Sequence, residues 1–302
     1  MNTNNNNDLT VVIPTFNRSH ELVRALRSLV AQSDSDFETI VCDDGSTEDI
    51  AAVIQDFNSN LRLRLLRIDN SGGPARPRNV ATQAATTRWI SYLDSDDWWY
   101  PSRIARIKSQ LSDDRDIVYH PLRVDRVDQD TSSRPAHGTE IGEPVRTGDP
   151  IWHMIRFGNP LATSGTTVKR ELMNWIGGFD EDATVEDFDA WLRLVAKGAR
   201  LHYVPEALGV YCVGTDQISN FNVRQFELQR HLFRRQLELL PARYRACAQS
   251  NFAYMLGSYA LDLGLPNASL YFSELQLKQE PLRWLKAKAK LWRASVKGLE
   301  SQ

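Results

Sequence analysis

The chain lacks any apolar run of 18 residues, which excludes a conventional membrane-spanning helix. It has only three cysteines, Cys42, Cys212 and Cys247. They form no even framework and show no metal-ligand spacing, so reduced thiols and a cytoplasmic setting are expected. No charge of one sign dominates: 36 Lys and Arg stand against 38 Asp and Glu. A net charge of −2 supplies no electrostatic reason to expect nucleic acid as a partner. There is no internal repeat. No Gly-x-Gly-x-x-Gly follows the first apolar run and no Walker lysine is present, which weakens dinucleotide and P-loop readings. What is there, 42% apolar and 25% charged residues over 302 positions, is an ordinary folded composition. That length suits one large domain or a domain with an appendage. Residues 1–8, polar and Asn-rich, are expected to form a disordered tail rather than a signal peptide.

Strand and helix patterns alternate along the first hundred residues. Leu9 to Ile13 is a β-branched run stopped by Pro14, as in a buried parallel strand. Leu22, Ala25, Leu26 and Leu29 repeat at helical spacing. Phe37 to Cys42 predicts a second strand, and Ser46 with Asp49 a capping box for the helix that carries Ile50, Val53, Ile54 and Phe57. A third strand spans Leu61 to Ile68, a helix runs from about Pro77 to Ala85, and a fourth strand spans Trp89 to Leu93. Such alternation predicts an α/β sheet with helices on both faces. Polar, Pro- and Gly-rich residues 112–150 read as loops around a strand at Ile117 to Tyr119. Helical pattern returns at Asp187 to Lys197, short strands flank Pro205, and from about Phe221 the pattern is almost wholly helical. The expected organisation is an α/β domain over 9–220 followed by a helical region over 221–302.

Chemistry concentrates where the fourth strand ends, at Asp94-Ser95-Asp96-Asp97. In a strand Asp94 and Asp96 point to one side. Two like charges left unpaired there are costly, and a divalent cation resolves the conflict, since Mg²⁺ and Mn²⁺ prefer carboxylate, water and phosphate oxygens. Taken alone, the segment also reads as a polar turn. Ligands of open α/β sheets bind beyond the carboxyl ends of strands. Thr15 and Asp43-Asp44 lie at such ends, with Asp43 or Asp44 able to accept from a base N–H and Thr15 able to meet a ribose or base edge. Arg78 offers a fork for phosphate oxygens, against the plainer reading of a solvated helix residue. Asn79 suits a loop-holding role. A second cluster, Glu186-Asp187 with Asp189, stands at a helix start, where negative charge is ordinary. There Asp187 could take a proton from an acceptor hydroxyl, with Glu186 orienting it or touching a sugar.

These segments resemble a family-2 glycosyltransferase of the GT-A fold. Val11-Val12-Ile13-Pro14-Thr15-Phe16-Asn17-Arg18 resembles the family's opening strand and nucleotide loop, and Val41-Cys42-Asp43-Asp44-Gly45-Ser46-Thr47 its second signature, whose acidic residue contacts uracil. Arg78-Asn79 matches its Arg-Asn pair. Leu93-Asp94-Ser95-Asp96-Asp97 matches its Asp-x-Asp signature, with Asp96 the more direct metal ligand. Gly177-Gly178-Phe179-Asp180-Glu181 and Glu186 to Arg193 resemble the acceptor-side motifs, with Asp187 as catalytic base and Glu186, Trp191 and Asp97 as acceptor-side or supporting residues. The resemblance spans 9 to about 219 and implies a catalytic domain over 9–220, with a nucleotide-binding half (9–100) and an acceptor-binding half (101–220). It implies inverting transfer of a hexose or N-acetylhexosamine, usually from a UDP-sugar with Mn²⁺ or Mg²⁺. The acceptor it implies is a surface polysaccharide (O-antigen, capsule or related) or lipid-linked glycan at the inner face of the membrane. One departure stands out: where relatives carry Tyr-Arg-x-His, this chain reads Tyr211-Cys212-Val213-Gly214, which leaves either a metal held by Asp96 and diphosphate alone or Asp216 or His202 as a substitute.

The C-terminal segment is basic. Residues 278–302 hold seven Lys or Arg against two Glu. Leu282, Leu285, Ala289, Trp292 and Val296 share a helix face beside Arg283, Lys286, Lys290, Arg293 and Lys297, while Trp284 and Leu291 point elsewhere. The stretch 282–297 suits an anionic membrane surface, or packing on the domain or another subunit as a homo-oligomer. Two rival functions remain on sequence grounds. A nucleotidyltransferase would carry a Gly-rich loop where Phe16-Asn17-Arg18-Ser19-His20 stands. A non-catalytic nucleotide-sugar-binding protein would need no Asp187.

Overall fold

The computed structural model describes residues 8–126, 139–183, 185–213, 223–266 and 268–296. Most of the expected N-terminal tail, Gly214, Asp216 and Lys297 lie outside the described residues. The chain divides into two compact units. One comprises Met1–Val145, Asn159–Glu181 and Glu186–Gln217, and the other Arg146–Gly158, Asp182–Val185 and Ile218–Gln302. Residues 146–158, assigned on sequence to the acceptor half, therefore group with the C-terminal helices.

The first unit opens with β1 (Leu9–Thr15), α1 (Ser19–Val30), β2 (Glu38–Asp43), α2 (Ile50–Gln55), β3 (Arg62–Arg67), α3 (Ala75–Ala84), β4 (Trp89–Tyr92), β5 (Trp98–Trp99) and α4 (Arg103–Lys108). β6 (Ile117–Tyr119), β7 (Leu122–Arg126), β8 (Glu140–Ile141), β9 (Thr166–Lys169), α6 (Arg170–Trp175), α7 (Glu186–Ala196), β10 (Leu201–Tyr203) and β11 (Gly209–Val213) follow, with α5 (Pro150–Phe157) interposed from the other unit. The large sheet has the order β10-β6-β9-β4-β1-β2-β3, and a smaller one β5-β11-β7-β8. β4, β1, β2 and β3 are mutually parallel, whereas β9 runs antiparallel between β4 and β6. The sheet is therefore mixed and flanked by helices.

Three local differences from the sequence reading have physical causes. β1 runs through Pro14 to Thr15. Val12 O accepts from Leu93 N and Thr15 O from Asp44 N, so by alternation the position lacking an N–H faces β4 beyond the last paired residues, Val12 and Tyr92. α2 is capped by Asp49, which accepts from Ala52 N at 3.0 Å, while Ser46 Oγ instead accepts from Asn17 N at 2.9 Å. β9, Thr166 to Lys169, has no apolar periodicity, and its buried hydroxyls are satisfied internally. Thr167 Oγ1 meets Ser91 Oγ at 2.6 Å and accepts from the fully buried Arg103 at 3.0 Å. Arg103 also lies over the Trp99 ring, 3.6 Å from its centroid.

The second unit contains α5, α8 (Val223–Leu239), α9 (Ala242–Asp262), α10 (Ala268–Ser273) and α11 (Pro281–Val296). Phe233 of α8 stacks on Phe252 of α9 at 4.1 Å between centroids. Gly257 lets α10 approach α9, since a Cβ there would stand 2.7 Å from the Phe272 ring. No described helix is long and apolar enough to cross a membrane.

Candidate active site

Because β4, β1 and β2 are adjacent and parallel, their carboxyl ends bring Asp94, Thr15 and Asp43 to one edge of the sheet. The Asp43–Ser46 turn closes on its own first residue: Asp43, fully buried, accepts from Ser46 N at 2.9 Å and from Arg67 at 2.6 Å. Asn17 holds a left-handed φ of 49° and its side chain accepts from Thr47 N at 2.8 Å, which ties the loop after β1 to that turn. Asp44 Oδ1 accepts from Ser71 N and Oγ at 2.9 and 2.8 Å. Among the described residues Asp44 Oδ2 takes no hydrogen bond, and the buried Thr15 hydroxyl has no partner.

Arg78 is not a solvated helix residue. It is buried, and its guanidinium donates to Asp94 at 2.6 Å and to Glu186 at 2.5 Å. Burial works against the charge, yet the two carboxylates hold its pKa above the ordinary arginine value. Asn79 pairs like a strand segment with Phe179, donating to its carbonyl and accepting from its N–H, both at 2.8 Å. Gly178 makes that pairing possible: its φ is +80°, and a Cβ would stand 2.4 Å from Asn79 Oδ1. Trp191, a candidate acceptor contact, is wholly buried. It supports the site from beneath, its ring 6.2 Å from Tyr92 and 5.6 Å from Phe179.

Asp187, half-buried at the start of α7, accepts from Asn159 at 3.1 Å, from Thr163 at 3.2 Å and from Phe188 N at 2.7 Å. Burial and the adjacent Glu186 raise its pKa to about 6, with Arg78 and the hydrogen bonds opposing. In the turn after β4, Asp96 pairs with Arg18, and its carbonyl accepts from Arg24 at 2.5 Å. Burial and Asp94 raise the Asp96 pKa, with Arg18 opposing. Asp97 faces inward and accepts from Cys212 N of β11 at 2.9 Å, so it braces the turn. Burial, then Asp96 and Asp94, push its pKa well up. Ser164 accepts from Asp94 N at 3.0 Å.

Ser164, Thr163, Asn159, Arg67 and Ser71 escaped the sequence reading. The first three and Ser71 sit in short irregular segments whose composition signals only a turn, while Arg67 ends β3, where the pattern marks a strand and not its partner. His202, considered as a replacement for the missing histidine, is on β10, separated from β4 by β6 and β9, with its ring against Gln110 at 3.2 Å. It does not belong to this site. The carboxylates at Asp94 and Asp96 are hard oxygen donors suited to Mg²⁺ or Mn²⁺. Among the described residues no group of three His, Cys, Asp or Glu is placed to hold a metal, so protein atoms alone supply a partial shell.

A mixed sheet whose parallel strands end in Thr15, Asp43 and Asp94, with Asp187 at a helix start, has the layout of a GT-A glycosyltransferase. The glycosyl transferase family 2 model matches residues 10–173, and the chain belongs to that family, which makes it an enzyme of the glycosyltransferase class. An uncharacterized glycosyltransferase of Haemophilus influenzae is 25% identical over 208 residues, 68% of this chain and 67% of that protein. The poly(ribitol-phosphate) beta-N-acetylglucosaminyltransferase TarS of Staphylococcus aureus is 35% identical over 92 residues, 30% of this chain but only 16% of its own length. The crystal structure of S. aureus TarS 1-349 with UDP-GlcNAc superposes with a TM-score of 0.63 at 19% identity, covering 93% of this chain and 79% of that one. The mannosyltransferase PcManGT of Pyrobaculum calidifontis, in complex with GDP-Man and Mn²⁺, gives 0.58 at 20%, covering 97% and 87%. These likenesses establish the fold.

Proposed function

We propose that this enzyme transfers a hexose or N-acetylhexosamine, with inversion, from a UDP-sugar to a hydroxyl of a surface polysaccharide or lipid-linked glycan, acting from the cytoplasmic side. The observation that carries the reading is the Arg78 clamp. One buried guanidinium bonds both Asp94, at the edge formed by the strand ends, and Glu186, the sequence neighbour of Asp187. In the transfer, Asp187 takes the proton of the acceptor hydroxyl as its oxygen attacks the anomeric carbon. The carbon–oxygen bond to the diphosphate breaks on the opposite face, and the nucleoside diphosphate departs with that electron pair. Single displacement inverts the centre. Thr15 Oγ1 and Asp44 Oδ2, both without partners, are available to a ribose or uracil edge. Arg18 stands at the same edge as a cation for phosphate oxygens. A Mg²⁺ or Mn²⁺ held by Asp96 and Asp94, with diphosphate and water completing its shell, would neutralise charge gathering on the leaving group. The UDP-GlcNAc of the TarS complex and the Mn²⁺ of the PcManGT complex favour this donor class and this metal.

Calorimetry and a transfer assay test the proposal together, after a panel of nucleotide sugars with Mn²⁺ has identified the donor. Asp187→Asn is expected to bind UDP normally while transfer falls roughly a hundredfold or more. Asp96→Ala is expected to lose the Mn²⁺-dependent part of UDP binding. Full transfer by the first variant would remove Asp187 from its role, and unchanged metal dependence in the second would remove Asp96.

A further inference from the structure

Helix α11 carries two apolar faces, and the second unit uses only one. Trp284, Ala287 and Leu291 pack against Ala253, Tyr254 and Leu261 of α9. The other face, Leu282, Leu285, Ala289 and Trp292, stays in solvent: Leu282 is 64% exposed, Leu285 57% and Trp292 67%. At about 100° per residue these four side chains fall within a strip some 80° wide. Lys286 and Arg293 line one border and Lys288 the other, all three exposed. From Pro281 to Val296 there are five Lys or Arg and no acidic residue. Leaving two leucines and a tryptophan wet on one helix is unfavourable in water unless something covers them.

We infer that this strip docks on an anionic lipid surface, with Leu282, Leu285 and Trp292 entering the headgroup–acyl boundary and Lys286, Lys288 and Arg293 at the level of the lipid phosphates. Charge selects this occupant. A two-fold contact between copies through the same strip would bring the same cations of each copy together with no acid on the helix to offset them. A lipid surface bearing negative charge matches both the apolar centre and its basic borders. The inference stands apart from the donor-site reading.

The test is co-sedimentation of the full chain with phosphatidylcholine vesicles, with and without phosphatidylglycerol. Binding is expected to the anionic vesicles and to fall with added salt. Lys286→Gln with Lys288→Gln should weaken it on the order of tenfold or more. Leu285→Gln with Trp292→Gln should weaken it at least as much. Because all four side chains are exposed, the melting temperature and UDP binding should not change, which separates this outcome from any failure at the donor edge. Wild-type protein that remains in the supernatant with both vesicle types would overturn the inference. So would binding that survives both double variants. A dimer seen by light scattering and split by Leu285→Gln with Trp292→Gln would also overturn it, assigning the strip to a second copy.

Discussion

Replacing Arg78 by methionine removes one charge and strands two. Asp94 and Glu186 are only about a quarter and a seventh exposed, and each takes a charge-assisted hydrogen bond from the same guanidinium. Breaking a buried pair by deleting one partner costs about 3 to 5 kcal/mol, because the remaining charge is left in a poorly solvated place. For a unit of this size each kcal/mol moves the melting temperature by roughly 2 to 4 °C, so a drop of about 10 °C is expected. A second consequence is catalytic. Arg78 pulls the Asp187 pKa down against burial and Glu186, so without it the pKa rises further above about 6. As the proposed base, Asp187 must be ionised to accept a proton. The acid limb of the pH–rate profile should therefore move to higher pH, by about one unit for the loss of a neighbouring opposite charge. Arg78→Lys keeps the charge but cannot fork to two carboxylates, and should lie between. Thermal melts and kcat/KM profiles from pH 5 to about 9 would read both effects. If Arg78→Met melts with the wild type and keeps its acid limb, Arg78 has no mechanical or electrostatic role in joining Asp94 to Glu186.

Two smaller perturbations probe the same site. Thr163→Val removes a hydrogen bond that favours the ionised form of Asp187, so its acid limb should rise by up to about one unit while the melting temperature changes little; an unshifted profile would exclude Thr163 as a positioning residue. Gly178→Ala forces a left-handed φ on alanine and sets its Cβ into Asn79, at a cost of about 2 to 3 kcal/mol read from urea midpoints; an unaltered midpoint would mean the Asn79–Phe179 pairing bears no strain.

Much of the edge that carries Thr15, Asp43 and Asp94 is legible in the sequence. Runs such as Leu9 to Ile13 and Trp89 to Leu93 are buried on both faces, and their apolar continuity announces a parallel strand. The acids that follow must then lie at strand ends, which is where Asp43 and Asp94 are found. The other side of the site was harder. β9 contains two buried threonines, Thr167 bonded to Ser91 and Arg103 and Thr166 donating to the Ala162 carbonyl, so a buried strand there looks polar in one dimension. Asn159 and Thr163 hold Asp187 from a segment without periodicity, and nothing local marks them as partners of a residue more than 20 positions away. Trp191 has the composition of a sugar platform, but packing under Tyr92 and Phe179 takes its whole surface.

The order of apolar runs, turns and acids by itself determined the family, the parallel strands β1, β2 and β4 and the Leu282–Trp292 face of α11, because each is a property of neighbours along the chain. Tertiary structure decided which carboxylate each arginine meets. Arg78 bonds residues 16 and 108 positions away, and such pairings depend on helix placement and burial that no local spacing encodes. It also decided that α11 spends its Trp284–Leu291 face on α9 and leaves Leu285 and Trp292 in water. Both faces are apolar enough to bury, and local spacing alone does not select between them.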